Sequence, residues 1–320
     1  MNNLILKEYS PELFAQWQEF IEKSNNGTIF HRLDFLGYHG GKFKENENHL
    51  LWYKKGQLYA IMPLGIFKEG EKVFAKSPFG ASWGGLVHGG KFKLKYAIEI
   101  VDSLINYLKN KGVNEIIIAP TPSIYFKKYS NYFEFALYEA GFRVINREIT
   151  SVIELPKTKE EVWQCPDSPC RTQIRRGLNN FSKIFNGKAR EFYQILLQDK
   201  ARHEAVATHD LDDLQYLEQL LPQDIWFDIA VDKEENQAGI CYFSGNKECV
   251  LSFYLSQEDK ALGENGLSAL ILRGLESAVE KGYKYYDFGT NNKENLISLV
   301  EFKESFGGIG ISRDTYKLEL

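Results

Sequence analysis

Lys281–Thr290 reads KGYKYYDFGT, and Lys111–Thr121 reads KGVNEIIIAPT. Each opens on a Lys-Gly stop and runs into a short strand. Glycine suits the position just past a helix end, where a left-handed residue closes the last turn. Before each stop lies a helical pattern. Ile98, Val101, Leu104, Ile105 and Leu108 share one face, as do Leu267, Leu270, Ile271, Leu275 and Val279.

The similarity continues outward. EAGFRVINREITSVIEL (139–155) parallels SFGGIGISRDTYKLEL (305–320), and Gly141 and Arg147 recur 166 positions on as Gly307 and Arg313. Both segments end in alternating strands. Upstream, 49–79 and 225–256 each read as strand, turn, strand, turn, strand. A repeat of this length marks a duplicated domain. The sequence predicts an α+β chain of two tandem domains, 1–155 and 156–320. Each is a mixed, mostly antiparallel sheet flanked by helices.

Composition agrees with a packed protein. The 320 residues are 43% hydrophobic, 14% aromatic and 26% charged. That excludes a disordered chain. The net charge of −4 is that of no dedicated nucleic-acid binder, and DNA is not expected as a partner. No apolar run approaches the roughly 20 residues of a membrane span, and the N-terminus lacks the features of a secretory signal. A cytoplasmic location is expected. Cys165, Cys170, Cys241 and Cys249 lack paired zinc-ligand spacing, and the six histidines are scattered, so no metal site is expected.

Four segments resemble the FemAB-like group of the GNAT acyltransferase superfamily. They are TIFHRLDFLGYHGGKF (28–43), SPFGASWGGLV (77–87), RTQIRRGLNNF (171–181), and DFGT (287–290) followed by FKESFGG (302–308). The resemblance runs from about residue 28 to the C-terminus. It implies two GNAT-like folds in tandem and transfer of an acyl or aminoacyl group to an amine. Some members use aminoacyl-tRNA and others an acyl-CoA. No sustained heptad arm is present here, so acyl-CoA is the expected co-substrate, with no tightly bound cofactor. The acceptor expected is an amine of a sugar or cell-envelope precursor, phosphorylated or lipid-linked. The alternatives are an aminoacyl-tRNA-dependent peptidoglycan-bridge transferase and a degenerate repeat that only binds.

Candidate site residues follow. Lys303 matches the lysine of the FK-x-x-FGG pattern, and its ammonium would steady an oxyanion or a phosphate. Alternatively it covers its own helix. Asp287 ends a strand and would act as base or orient the amine, or cap the turn before Asn291. Lys260, Gly263 and Gly266 open the helix after 266 and would cradle donor phosphates, although Glu264 brings like charge to the same loop. His88–Lys93 is the more basic equivalent in the first half. Arg171, Arg175 and Arg176 would bind an anionic acceptor or pair with Glu160, Glu161 or Asp167. His31 and Trp83 would line a sugar site or belong to the core. Cys241 is a nucleophile only if its thiol is accessible.

Overall fold

The computed structural model describes residues 4–291 and 296–320. In chain order the elements begin with β1 (Leu4–Glu8), α1 (Phe14–Lys23), α2 (Leu33–Leu36), β2 (Leu50–Lys54) and β3 (Gln57–Met62). There follow β4 (Gly65–Glu69), β5 (Lys72–Ser77), β6 (Val87–His88), α3 (Leu94–Asn110), β7 (Glu115–Ile118) and α4 (Tyr132–Glu139). Then come β8 (Arg143–Glu154), α5 (Ser168–Asn180), β9 (Phe181–Gly187), α6 (Ala189–Arg202) and α7 (Leu211–Leu220). The last are β10 (Ile225–Asp232), β11 (Gln237–Ser244), β12 (Cys249–Gln257), α8 (Gly266–Glu280), β13 (Tyr285–Thr290), α9 (Leu296–Ser305) and β14 (Ile309–Glu319).

The chain forms two compact units, 1–148 with 312–320, and 149–311. Two strands straddle these limits. β8 starts in the first unit and ends in the second, and β14 does the reverse. The units thus differ from a division at 155/156 by the placement of the two terminal strands. Both halves contain helix, strand, helix, strand in the order the repeat requires.

In the first unit, β1-β2-β3-β6 form one antiparallel sheet. β4 and β5 pair as a hairpin, β5 pairs with β7 in parallel, and β7 pairs with the C-terminal part of β14. The stretch 49–79 therefore holds four strands rather than three, because Pro63 and Leu64 break the run between β3 and β4. α3 lays Ala97, Ile100, Val101, Leu104 and Leu108 onto the sheet, whereas Ile98 is turned outward. Asn25 and Asn26 stitch the segment after α1 to its neighbours: Asn25 donates to Lys128 O (2.8 Å) and Asn26 to Leu86 O (2.8 Å). These bonds let buried non-repetitive backbone satisfy its polar groups.

In the second unit, β9 to β12 form an antiparallel meander. β12 then pairs with β13 in parallel, and β13 pairs with the end of β8. α8 runs under this sheet and buries Ala269 to Leu272, Leu275 and Ala278. Burial on most sides marks it as the central helix of the unit. Asp167 caps α5, accepting from the Cys170 amide at 2.8 Å, so the CPDSPC segment is helical from Ser168 onward. Among the described residues no helix is long and apolar enough to cross a membrane.

Candidate active site: a fork in the second unit

β12 and β13 pair through only three positions: Cys249↔Tyr285, Val250↔Tyr286 and Leu251↔Asp287. Beyond Leu251 the two strands part, and β12 continues for six more residues. Where the strands separate, their backbone groups leave the ladder. The corresponding pair in the first unit stays closed. β5 and β7 pair through Phe74↔Glu115 to Ser77↔Ile118, and a further bridge joins Gly84 to Pro120. The Ala119 amide donates to Ser77 O (2.8 Å) and the Gly84 amide to Ala119 O (2.9 Å).

A second irregularity lies on β12. Cys241 pairs with Tyr254 but Tyr242 pairs with Ser252, which makes Phe253 the extra residue of a bulge. Such a residue withdraws its N–H or C=O from regular pairing. The sequence carried no signal for it, since Phe253 fits an ordinary strand.

Asp287 sits at the vertex. It is 0% exposed, accepts from the Thr150 hydroxyl, and accepts from the Gly289 amide at 2.8 Å. The Ser252 hydroxyl donates to its carbonyl at 3.2 Å. Lys303 reaches the same place from α9. Its Nζ donates to Phe288 O (3.2 Å) and Gly289 O (3.0 Å). It is 6% exposed, and burial brings its pKa down to about 8 against the upward pull of the Asp287 carboxylate. The structure thus unites Asp287 and Lys303, and adds Thr150, a residue the sequence reading passed over.

The first copy carries apolar residues at both places. Asp287 faces Leu251 as Ile117 faces Lys76. Lys303 O accepts from the Gly308 amide at 3.1 Å as Leu137 O accepts from the Phe142 amide at 3.0 Å. The equivalent helix ends superimpose the roles of Lys303 and Leu137, as the sequence offset proposed.

The loop before α8 leaves β12 through Glu258, which accepts from the Gln237 amide (2.9 Å) and from Gln198 (3.0 Å). Arg202 fastens the next residues, donating to Gln257 O (3.2 Å) and Asp259 (3.0 Å), and pairs with Asp199. Lys260 and Gly263 are exposed, and Gly263 has φ +83°, a conformation that suits glycine. Gly266 is bare for another reason: the Phe181 ring occupies the space a side chain would need. Glu264 is exposed and accepts from Asn180 at 2.7 Å.

The arginines separate. Arg171 donates to Pro166 O (2.7 Å), and Arg175 stacks on Trp163 with its guanidinium 5.1 Å from the ring centre. Arg176 is exposed one helical turn before Asn180. Among the described residues none of the three pairs with Glu160, Glu161 or Asp167 within 4.0 Å. Cys241 is wholly buried and its thiol pKa is driven well up by burial, as in an inert core cysteine. No group of three or more His, Cys, Asp or Glu among the described residues is arranged to hold a metal.

His31 and Trp83 lie in the first unit, 0% and 1% exposed. Trp83 donates to the Thr28 hydroxyl (3.0 Å), which meets His31 Nδ1 at 2.9 Å. Nδ1 accepts from the Thr28 amide (3.1 Å), which puts the ring proton on Nε2, 3.1 Å from Gly84 O. Burial lowers the His31 pKa to about 4, so the ring is neutral. Phe30 meets the Trp83 ring edge-on, Tyr125 packs against it at a tilt, and the Arg313 guanidinium lies over it, 5.1 Å from the ring centre. Both side chains are thus committed to the core. The basic loop of this unit is partly committed too, with His88 stacked on Phe92 at 4.0 Å.

This pair of units defines a tandem GNAT fold. FemX shares it over 99% of this chain and 97% of its own, with a TM-score of 0.76 at 11% identity. A tandem GNAT protein from the clavulanic acid biosynthesis pathway matches over 99% and 98%, with a TM-score of 0.58 at 9% identity. The C-terminal domain (DUF2156) of a lysylphosphatidylglycerol synthetase candidate from Agrobacterium fabrum matches over 96% and 91%, with a TM-score of 0.60 at 10% identity. At such identities the likeness is one of fold. The sequence matches no known family profile and no curated protein.

Proposed function

We propose that the second unit transfers an acyl group from an activated donor to an amine, with the carbonyl seated in the fork between β12 and β13. The observation that carries this reading is the parting of two parallel strands at Leu251 and Asp287, present in one copy and closed in the other. The bulge at Phe253 offers backbone N–H to the oxyanion that forms when the amine attacks. The amine nitrogen bonds to the carbonyl carbon, the donor's sulfur or oxygen leaves with the bond pair, and the nitrogen's extra proton passes to solvent. Holding a neutral amine beside the carbonyl supplies much of the rate. No covalent enzyme intermediate is needed, consistent with the buried Cys241 thiol.

The donor favoured is an acyl-CoA. Lys260, Gly263 and the first turn of α8 would receive its phosphates. Arg176, exposed on α5, suits an acceptor bearing phosphate, such as a phosphosugar or a lipid-linked sugar amine. With such substrates the reaction would run in the cytoplasm.

A second reading, an aminoacyl-tRNA donor, draws on Glu264. Its carboxylate stands in the loop where a diphosphate would lie. One experiment addresses both: purified protein is incubated with amino-sugar acceptors and either labelled acetyl-CoA or charged tRNA. Label transferred from acetyl-CoA supports the first reading. Transfer from tRNA alone replaces it with the second, and transfer from neither removes both.

A further inference from the structure

The backbone of β13 kinks where the fork opens. Against β8, Tyr285, Tyr286 and Asp287 pair with Glu154, Ile153 and Val152, after which Thr290 pairs with Thr150. Three steps along β13 match two along β8, so β13 carries one extra residue. A bulge of this kind bends its strand and leaves backbone groups unpaired. Here the chain bends at Gly289, whose φ is +71°. Had β13 run straight, Phe288 would continue the ladder beside Ser252 and the fork would close.

Three backbone groups leave the ladder at the bulge, and each has a dedicated partner. The Gly289 amide donates to Asp287 Oδ1, and the carbonyls of Phe288 and Gly289 accept from Lys303 Nζ. The Thr150 hydroxyl donates to the same Oδ1 and so fixes the carboxylate. A buried peptide group without a partner costs about 1–3 kcal/mol. The arrangement is absent from the first copy, where Ile117 and Leu137 stand at the two charged positions and the strands stay joined. Depth points the same way. A group that moves a proton must come within hydrogen-bond reach of the reacting atom, yet Asp287 and Lys303 are almost wholly enclosed.

We infer that Thr150, Asp287 and Lys303 are positioning residues: they latch the β13 bulge and thereby hold the fork open for the acyl donor, without touching it. The inference rests on the acyl-transfer reading for its donor, but the latch itself can be measured alone.

The test compares full-length wild type with T150V, T150S and K303M. Amide hydrogen exchange is followed at Gly289, and acetyl-CoA affinity by calorimetry. T150V and K303M are expected to speed Gly289 exchange at least tenfold and to weaken acetyl-CoA at least tenfold. T150S restores the hydroxyl and stays within about twofold on both readouts. Should K303M fail to fold, the T150V and T150S pair decides alone. Loss of acetyl-CoA affinity with wild-type exchange at Gly289 would overturn the latch, because the side chain then meets the donor directly. Unchanged exchange in T150V overturns it equally. If wild type binds no acetyl-CoA while exchange behaves as expected, the donor assignment fails and the latch stands.

Discussion

The ring of Phe181 closes on Gly266, the first residue of α8: a methyl group there would stand 2.8 Å from the ring's Cε1. Gly263, three residues earlier, has open space but a left-handed φ of +83°. Alanine at 266 overpacks the contact at a cost of about 1–3 kcal/mol, and alanine at 263 costs about 1–2 kcal/mol in backbone strain. Urea unfolding distinguishes the causes. Replacing Phe181 with Leu should relieve the penalty of G266A and leave that of G263A unchanged. Equal relief of both would contradict the packing account.

Acid should weaken the first unit. His31, His49 and His88 are buried there with pKa values near 4, lowered by desolvation. The unfolded chain takes up protons near 6.5, so their stabilisation is complete above that pH and is lost as pH falls toward 4. Glu134 works against this: burial raises it to about 7, and it adds stability as pH falls from 7 toward 4.5. Three histidines at roughly 2 kcal/mol each, less about 2.5 for Glu134, leave a net loss on the order of 3 kcal/mol at pH 5. A urea midpoint as high at pH 5 as at pH 7 would refute it.

Glu264 opposes a phosphate-bearing donor in the proposed loop. E264Q removes one exposed like charge, an effect of order 0.4–1 kcal/mol, so acetyl-CoA should bind about two- to fivefold tighter. High salt should erase the gain. Weaker binding in E264Q would show the carboxylate to be a ligand contact, and the loop assignment would then have to be abandoned.

Asp228 is buried on β10, accepts from Asn186 at 2.8 Å, and has Arg273 Nε 3.6 Å away. R273M removes one of two cations that act on the carboxylate, the other being Lys281. Arg273 is 38% exposed, so solvent screens the pair and the expected loss is about 1 kcal/mol. Adding D228N to R273M should recover much of it, as read by chemical denaturation; no recovery would mean that the pair is not coupled.

The duplicated order of elements was legible because its punctuation is local. Gly112 and Gly282 both take positive φ at helix ends, as do Gly141 and Gly307. Lys303 stood out because its counterpart, Leu137, is apolar. What escaped was decided by distant partners. Gly266 reads as room for a phosphate until Phe181, 85 positions earlier, fills that room. His31 and Trp83 belong to residue types that serve cores and binding sites alike, and only their enclosure by Thr28, Phe30 and Tyr125 tells which. Arg171 and Arg175 share a helix face as their spacing requires, but Pro166 O and Trp163 claim their heads. The two bulges, at Phe253 and Gly289, depend on the register of neighbouring strands and leave no periodic trace.

The crossing of β8 and β14 has a practical corollary. Severing the chain at 155/156 would strip β7 of its neighbour in 312–320 and β13 of its neighbour in 149–154. Each fragment would expose a bare strand edge, prone to self-association. Each half therefore completes the sheet of the other, and neither should persist in soluble form unless its counterpart is made beside it.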